Sequence, residues 1–127
     1  SSTILDELNE PYEILAAQAN IALEWAVPPG IRVVSDGDLL RQILHNLLGN
    51  ACRYAASTAR LRVSLDGQET VLSLDNDYRS ETRAPGGLGI GLRLVRALTN
   101  SMEGHQFSIR DNGRVFAVLL VWKRSTQ

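Results

Sequence analysis

The sequence has no long apolar run and only one cysteine in its 127 residues. A helix that crosses a bilayer needs about 20 consecutive apolar residues. The longest apolar stretch here, "VFAVLLVW" at 115–122, has only the length of a strand. Cys52 has no second thiol with which to form a disulfide or to share a metal. We therefore expect no direct membrane contact by these residues, a reducing compartment, and a small buried thiol at position 52.

Charge of either sign is also not in excess. The 13 Lys and Arg residues stand against 14 Asp and Glu residues, which gives a formal net charge of −1. Because no basic field is available to attract a polyanion over a distance, we predict no nucleic-acid partner, and an anionic ligand must be held by local groups. The length indicates one domain over 1–127, and a start in helical sequence without Met suggests a piece of a longer protein.

Apolar residues at helical spacing predict three helices. The first contains Pro11, where a helix can kink or break. The second follows "SDGD" at 35–38, whose side chains suit the N-terminal cap of a helix. The third ends at Gly104. The predicted helices lie at 2–20, 39–55 and 89–102.

Alternating apolar residues predict strands that are joined in pairs by short turns. Turn signals occur at 28–30, 66–67 and 112–113, so each pair of strands is predicted to form a hairpin. The predicted strands lie at 21–27, 31–35, 59–65 and 70–76, with a last pair inside 106–122. Strand pairs separated by single helices indicate an α/β fold, a two-layer sandwich of a mixed sheet with about three helices on one face.

Two asparagines stand in the middle of the second helix. Asn46, Asn50 and Arg53 follow one another at helical spacing, so they share a stripe of that helix. Asparagine is a poor helix former, and one explanation is that these side chains simply face water. The other is that they face a polyanion. Asn50 then offers an oxygen to Mg²⁺, and Arg53 pairs with phosphate oxygens.

The third helix begins in a glycine-rich stretch, "GGLGIGL" at 86–92. Unpaired N–H groups and the positive end of the helix dipole favour phosphate there, and absent Cβ atoms allow close approach. Taken alone, the stretch is equally compatible with a flexible loop. It also lacks the lysine of a P-loop and the strand–turn–helix context of a dinucleotide fingerprint.

Taken together, "DLLRQILHNLLGNACRY" at 38–54 and "GGLGIGLRLVRALTNSMEG" at 86–104 resemble the N box and the second glycine box of the GHKL ATP-binding (Bergerat) fold. The resemblance is specifically to the catalytic ATP-binding domain of bacterial sensor histidine kinases. It implies Mg-ATP as the cofactor, with adenine between the helices and the sheet and its amino group bonded by Asp75. By this resemblance Asn50 is the metal ligand, and the nucleotide contacts are Asn46, Asn50, Arg53, Tyr54, Asp75, Gly87, Leu88, Gly89, Gly91 and Leu92.

The resemblance also places Asn46 at the catalytic position, where ATPases and serine kinases of the superfamily carry a glutamate. An amide is not a general base at neutral pH, so it favours transfer to a nucleophilic histidine. That histidine is expected on a separate dimerisation domain, because neither His45 nor His105 lies in the sequence context of an acceptor. By the same resemblance, the full-length kinase passes the phosphoryl group to a response regulator, and this chain is a cytoplasmic part of a membrane-anchored sensor.

Two departures from the family pattern keep alternatives open. "DNDYR" at 75–79 has Asp77 and Arg79 where the first glycine box has glycines, and the segment 76–86, which corresponds to the ATP lid, is short. One alternative is a degenerate module that binds nucleotide weakly or not at all and acts in protein interactions. A third hypothesis, an anti-sigma-type serine kinase, is disfavoured by Asn46.

Overall fold

The computed structural model describes residues 3–29, 31, 33, 35–78 and 90–123. These residues form three helices and five strands, which confirms the α/β class predicted from the sequence. The elements in chain order are α1 (Thr3–Gln18), β1 (Ala22–Ala26), α2 (Gly37–Tyr54), β2 (Thr58–Asp66), β3 (Glu69–Asp77), α3 (Ile90–Asn100), β4 (His105–Asp111) and β5 (Val115–Lys123).

The five strands form one mixed sheet in the order β1-β2-β3-β5-β4. The β2–β3 and β4–β5 pairs are antiparallel neighbours in the chain, so both of these predicted hairpins are confirmed. Gly67 and Gly113 adopt φ values of 63° and 88° in the two turns, a conformation that favours glycine.

The first predicted hairpin is wrong. β1 pairs in parallel with β2, with Ala22 opposite Thr58 and Trp25 opposite Leu61. The turn itself is present, since the N–H of Ile31 donates to the carbonyl oxygen of Pro28 at 3.2 Å. Ile31 and Val33, the two described residues of 30–34, are buried outside any strand. A parallel pair needs a crossover, and α2 supplies it between β1 and β2.

The register of the sheet places its buried side chains on one face. Leu74 lies opposite Leu61 on β2 and Val118 on β5, and all three are buried. The buried residues of the helices belong to the same apolar cluster, so the core lies between the helices and this face. α2 contributes most of its apolar stripe to the core: Leu40, Ile43, Leu44, Leu47, Leu48, Ala51 and Cys52.

Local capping explains where α2 begins. The Asp36 carboxylate accepts a hydrogen bond from the N–H of Leu39 at 3.0 Å, as the capping chemistry of 35–38 predicts. α1 runs through Pro11 without interruption in its assigned span and contacts α2 through an Arg41–Glu7 ion pair at 3.0 Å. Within the part of the chain that the structure describes, no helix is long and apolar enough to span a bilayer.

Candidate functional site

A hollow lies where α2 and α3 meet the sheet. Its lining comes from α2, β3, α3 and β5: Leu47, Asn50, Ala51, Leu74, Asn76, Leu92, Phe116 and Val118. Six of these eight side chains are apolar, and the other two are neutral amides. The cavity measures about 10 Å³, which is room for about one water molecule, so a larger ligand requires movement of the surrounding side chains.

The predicted polar stripe of α2 divides at this hollow. Asn50 is half-buried and lines it, next to the buried Leu47 and Ala51. Asn46, one turn earlier, turns its amide back onto its own helix, where Nδ2 donates to the carbonyl oxygen of Gln42 at 3.0 Å. Asn50 therefore lies at the hollow, while the side-chain amide of Asn46 donates one of its two N–H groups to the helix backbone.

The end of α2 presents a cation next to an aromatic ring. Arg53 is exposed, and its guanidinium carbon lies 6.0 Å from the ring centroid of the half-buried Tyr54. Neither side chain lines the hollow. Both lie further along α2, in its last turn. Arg53 remains available to an anion that approaches from solvent.

Asp75, the residue predicted to contact adenine, does not line this hollow. It lies opposite Arg60 on β2 and Ala117 on β5, on the face of the sheet that the helices do not cover. The reason is the period of two in a strand: Leu74 and Asn76 face the helices, so the residue between them faces away. Asp75 instead borders a separate surface depression with Glu24 and Arg60.

Asn76, and not Asp75, is the residue of β3 whose side chain lies between the helices and the sheet, where the resemblance places Asp75. Only 5% of its surface is exposed, and it lines the hollow together with Asn50. Its Nδ2 donates to the carbonyl oxygen of Asp77 at 2.9 Å. That same carbonyl also accepts from the N–H of Ala56 at 3.0 Å. The amide of Asn76 is therefore held by the main chain of the next residue.

Asp77 is a structural anchor between β3 and the start of β2. Its carboxylate accepts hydrogen bonds from the N–H groups of Ala56, Ser57 and Thr58 at 3.0, 2.8 and 2.9 Å, and from the Ser57 hydroxyl. Burial alone raises the pKa of the Asp77 carboxyl, but these hydrogen bonds outweigh it and hold the pKa below its usual range. Four hydrogen-bond donors thus stabilise the charged form of this carboxylate.

The backbone conformation at position 77 does not require a glycine. Asp77 is the last residue of β3, and among the described non-glycine residues only Asn20 has a positive φ. β3 therefore reaches position 77, where the sequence analysis expects the first glycine of the box. An extended residue carries a side chain without backbone strain.

Tyr78 fixes the end of β3 from the other side. Its N–H donates to the carbonyl oxygen of Arg114 at 2.9 Å, and its hydroxyl donates to Asp111 Oδ1 at 2.5 Å. Asp77 and Tyr78 together attach the strand end to β2 and to the β4–β5 hairpin. Asn76 is consequently presented to the hollow by a backbone held on both sides.

The glycine-rich stretch is only partly described. Gly87, Leu88 and Gly89 lie outside the described residues, as does Arg79. Gly91 lies in the first turn of α3, and Leu92 follows it with 5% of its surface exposed. Leu92 lines the hollow, so the start of α3 and Asn50 meet there as the two sequence motifs predict.

None of the described residues that line the hollow carries a charge. No group of three or more His, Cys, Asp or Glu side chains in the described ranges is placed to hold a metal ion. Asn50 is the oxygen donor of α2 at the hollow, and a single amide oxygen suits a cation that takes its other ligands from phosphate and water.

The two histidines have structural contacts. The Tyr12 hydroxyl lies 2.7 Å from His45 Nδ1, which connects α1 with α2. His105 stacks on Trp122 with 4.9 Å between ring centroids, and its Nε2 lies 3.0 Å from the Ser35 hydroxyl oxygen. These contacts agree with the prediction that both histidines are structural or exposed residues.

Comparison with known proteins identifies a family. The family model described as histidine kinase-, DNA gyrase B- and HSP90-like ATPase matches residues 35–123, which contain both motifs and the whole sheet except β1. The sensor protein kinase CarS of Pseudomonas aeruginosa is 38% identical over 108 residues, an alignment that covers 73% of this chain and 24% of CarS. The chain spans about a quarter of the length of the curated relatives it matches.

Solved structures share the fold. The catalytic domain of histidine kinase ThkA superimposes with a TM-score of 0.80 at 16% identity, covering 97% of this chain and 91% of that domain. Full-length ShkA, solved in complex with AMPPNP, gives a TM-score of 0.77 at 23% identity, with 99% of this chain and 31% of ShkA covered. At these identities the likeness shows the fold.

Proposed function

The chain belongs to the family of histidine kinase-, DNA gyrase B- and HSP90-like ATPases, and we propose that it binds Mg-ATP and supplies the γ-phosphoryl group to a histidine on a separate dimerisation domain. The observation that carries the proposal is the convergence of Asn50 and Asn76 on one apolar hollow between α2, α3 and the sheet. Apolar walls with a few placed polar groups are typical of sites for small organic ligands.

The residues present fit a purine nucleotide. Leu47, Leu92 and Phe116 offer apolar surface to the faces of a base, and the two amides offer hydrogen bonds to its edge or to a metal. The hollow is smaller than a base, so side chains of α2 and α3 must separate when the ligand enters.

The groups that suit the phosphates lie outside the apolar part. In the proposal Asn50 offers its amide oxygen to Mg²⁺, and the exposed Arg53 pairs with phosphate oxygens beside Tyr54. The proposal also includes the N–H groups of Gly87, Leu88, Gly89 and Gly91 as phosphate contacts, because these residues precede or begin α3 in the sequence and the positive end of a helix dipole favours an anion. When bound, Mg-ATP would supply the transferable phosphoryl group, and its Mg²⁺ would neutralise part of the negative charge of the phosphates.

Asn46 determines which reaction is proposed. A carboxylate at this position can take a proton from water or from a serine hydroxyl, whereas an amide cannot at neutral pH. The acceptor must therefore be a nucleophile without such help, and an imidazole meets that requirement. The chain then contributes positioning and charge neutralisation, which are the main protein contributions to phosphoryl transfer.

The partners in the proposal are the chain's own dimerisation and phosphoacceptor domain and, through the full-length kinase, a response regulator. The test is a phosphorylation assay on the full-length protein with γ-labelled ATP. We expect a phosphoryl group that is stable in alkali and labile in acid, which is the signature of phosphohistidine, and its loss in an Asn50→Ala variant. A folded protein that binds ATP but acquires no label contradicts the proposed transfer.

A second candidate function is a regulatory module that binds nucleotide weakly or not at all. The observation that favours it is the size of the hollow, about 10 Å³, which admits a base only if the surrounding side chains move. The two candidates differ in one measurable property, the affinity of the folded chain for ATP. Saturable Mg-ATP binding favours the kinase domain, and its absence favours the regulatory module.

A further inference from the structure

A depression lies on the face of the sheet that the helices do not cover. It measures about 440 Å³, whereas the hollow between α2, α3 and the sheet measures about 10 Å³. Pockets that bind small molecules commonly have volumes of about 300–1,000 Å³. Residues of β1, β2 and β3 line the depression, at the end of the sheet where β1 and β2 begin. It is therefore large enough for a long side chain or a small molecule.

The register of the strands places charged side chains next to short ones on this face. Ala22 lies opposite Thr58, and one step along the same face Glu24 lies opposite Arg60. Arg60 lies opposite Asp75 on β3. All five residues share one face, because register partners project to the same side of a sheet and the period of a strand is two. The short side chains of Ala22 and Thr58 thus leave room beside the three charged ones.

The charges that line the depression do not balance, because two carboxylates and one guanidinium leave a net charge of −1. Arg60 Nε donates to Glu24 Oε2 at 2.9 Å. The carboxylate of the half-buried Asp75 has no hydrogen bond or ion pair with any residue that the structure describes. A turn of Arg60 towards Asp75 would leave Glu24 without its partner. In either arrangement one carboxylate of the depression lacks a counter-ion.

The other cations of this face do not pair with Asp75. Arg62 is exposed one step further along β2, and Arg110 is exposed on β4, beyond Ala117. Neither forms an ion pair with a described residue. A half-buried carboxylate is stabilised by a cation that also donates hydrogen bonds, and the Thr58 hydroxyl offers a further acceptor. A guanidinium or primary ammonium group can donate to both.

We propose that this depression is a second binding site, which takes a guanidinium or primary ammonium group with Asp75 as its counter-ion. A basic side chain of a protein and a free polyamine both carry such a group, and the experiment below distinguishes these two sources. The site is separate from the hollow, because Leu74 and Asn76 face the helices and Asp75 faces away. Occupation of the depression is therefore independent of the proposed nucleotide site.

The test compares two probes that differ only in charge. The isotope-labelled chain is titrated with N-acetylarginine amide and with N-acetylcitrulline amide, in which a neutral urea group replaces the guanidinium, and its backbone amide signals are followed by NMR. We expect saturable shifts at Thr58, Arg60 and Asp75 with the arginine compound, and at least about fivefold weaker binding of the citrulline compound. Added salt should weaken the binding, because the depression faces solvent. Equal binding of the two probes, or shifts only at other residues, would overturn the proposal.

Two substitutions should change the affinity for the arginine compound in opposite directions. Asp75→Asn keeps the shape of the side chain but removes its charge, so it should weaken binding about fivefold. Arg60→Gln leaves both carboxylates without a partner and should strengthen binding about threefold. Asp66→Asn, at the other end of β2 on the same face, is the control and should change nothing. Unchanged binding in Asp75→Asn, or weaker binding in Arg60→Gln, contradicts the proposal.

A further titration, with spermidine, distinguishes the two sources of the cation. Much tighter binding of spermidine than of the arginine compound at the same signals identifies a free polyamine, and equal or weaker binding identifies a single basic side chain. The affinity for Mg-ATP should be the same in Asp75→Asn as in the unaltered chain, since the substitution lies on the face away from the hollow. Saturable shifts with neither compound overturn the proposal, whatever the affinity for Mg-ATP.

Discussion

Asn50 on α2 and Asn76 on β3 line the same hollow, while Asp75, the chain neighbour of Asn76, lies on the opposite face of the sheet. The three consecutive residues of "DND" therefore have different positions and contacts. Asp75 faces away from the helices, Asn76 faces the hollow, and Asp77 anchors the strand end.

Replacing Asp77 should destabilise the fold. Asp77→Ala removes the acceptor of four hydrogen bonds; it leaves the N–H groups of Ser57 and Thr58 to water, while the N–H of Ala56 keeps the carbonyl oxygen of residue 77. Because the site is partly exposed, we expect a loss of about 2 kcal/mol in the free energy of unfolding, measured by urea denaturation. Glu13→Ala, which alters an exposed carboxylate of α1, is the control and should change it by less than about 0.5 kcal/mol. Equal effects of the two variants would contradict the anchoring role.

The stabilisation by Asp77 should depend on pH with a definite sign. The pKa of the Asp77 carboxyl is lower in the folded state than its ordinary value of 3.8. Its contribution is therefore complete above that ordinary pKa and is lost as the pH falls through the lower, folded value. The stability difference between the unaltered chain and Asp77→Ala should be constant near about pH 7 and smaller near about pH 3. A difference that grows on acidification would show that the carboxylate does not act in this way.

Asn46 should be dispensable for folding. Asn46→Ala loses one hydrogen bond to the Gln42 carbonyl oxygen but gains the better helix propensity of alanine, so the two effects nearly cancel. We expect a change of less than about 0.5 kcal/mol in the free energy of unfolding. If Asn46 has the proposed catalytic position, phosphorylation of the full-length protein should decrease in the same variant. Unchanged phosphorylation would remove Asn46 from the site.

Cys52 should react slowly in the folded chain. It lies in the core on α2, and burial raises the pKa of its thiol. Each unit of pKa lowers the fraction of reactive thiolate about tenfold. Alkylation followed by mass spectrometry should therefore be slow in buffer and fast in concentrated urea. Rapid alkylation of the folded chain would show that α2 does not bury this face.

Much of the fold was predictable because the relevant patterns are local. The apolar stripe of α2, its Asp36 cap and the turns at Gly67 and Gly113 depend on residues near in sequence, and all are confirmed. The first hairpin was not predictable in the same way. The two segments 21–27 and 31–35 have similar patterns, and the pairing of β1 with β2 depends on a crossover by α2.

The structure brings some of the predicted site residues together at the hollow and places Asp75 outside it. Asn50 and Leu92, from two separate motifs, meet at the hollow as expected. The predicted role of Asp75 depends on a motif that this sequence only partly matches. The alternation in "LSLDN" predicts this arrangement, because apolar Leu72 and Leu74 facing the core require Asn76 to face it too. The motif alone does not indicate which face of β3 each residue occupies, and the strand period does.

The most direct test of a magnesium-dependent nucleotide site at α2 is a calorimetric titration of the chain with ATP, with and without Mg²⁺. Asn50→Ala is titrated in parallel, and Asn100→Ala, an exposed asparagine at the far end of α3, is the control. We predict binding that Mg²⁺ strengthens, with the magnesium-dependent part lost in Asn50→Ala and retained in Asn100→Ala. Absence of binding by the folded chain, or the same magnesium dependence in both variants, would contradict the proposed site.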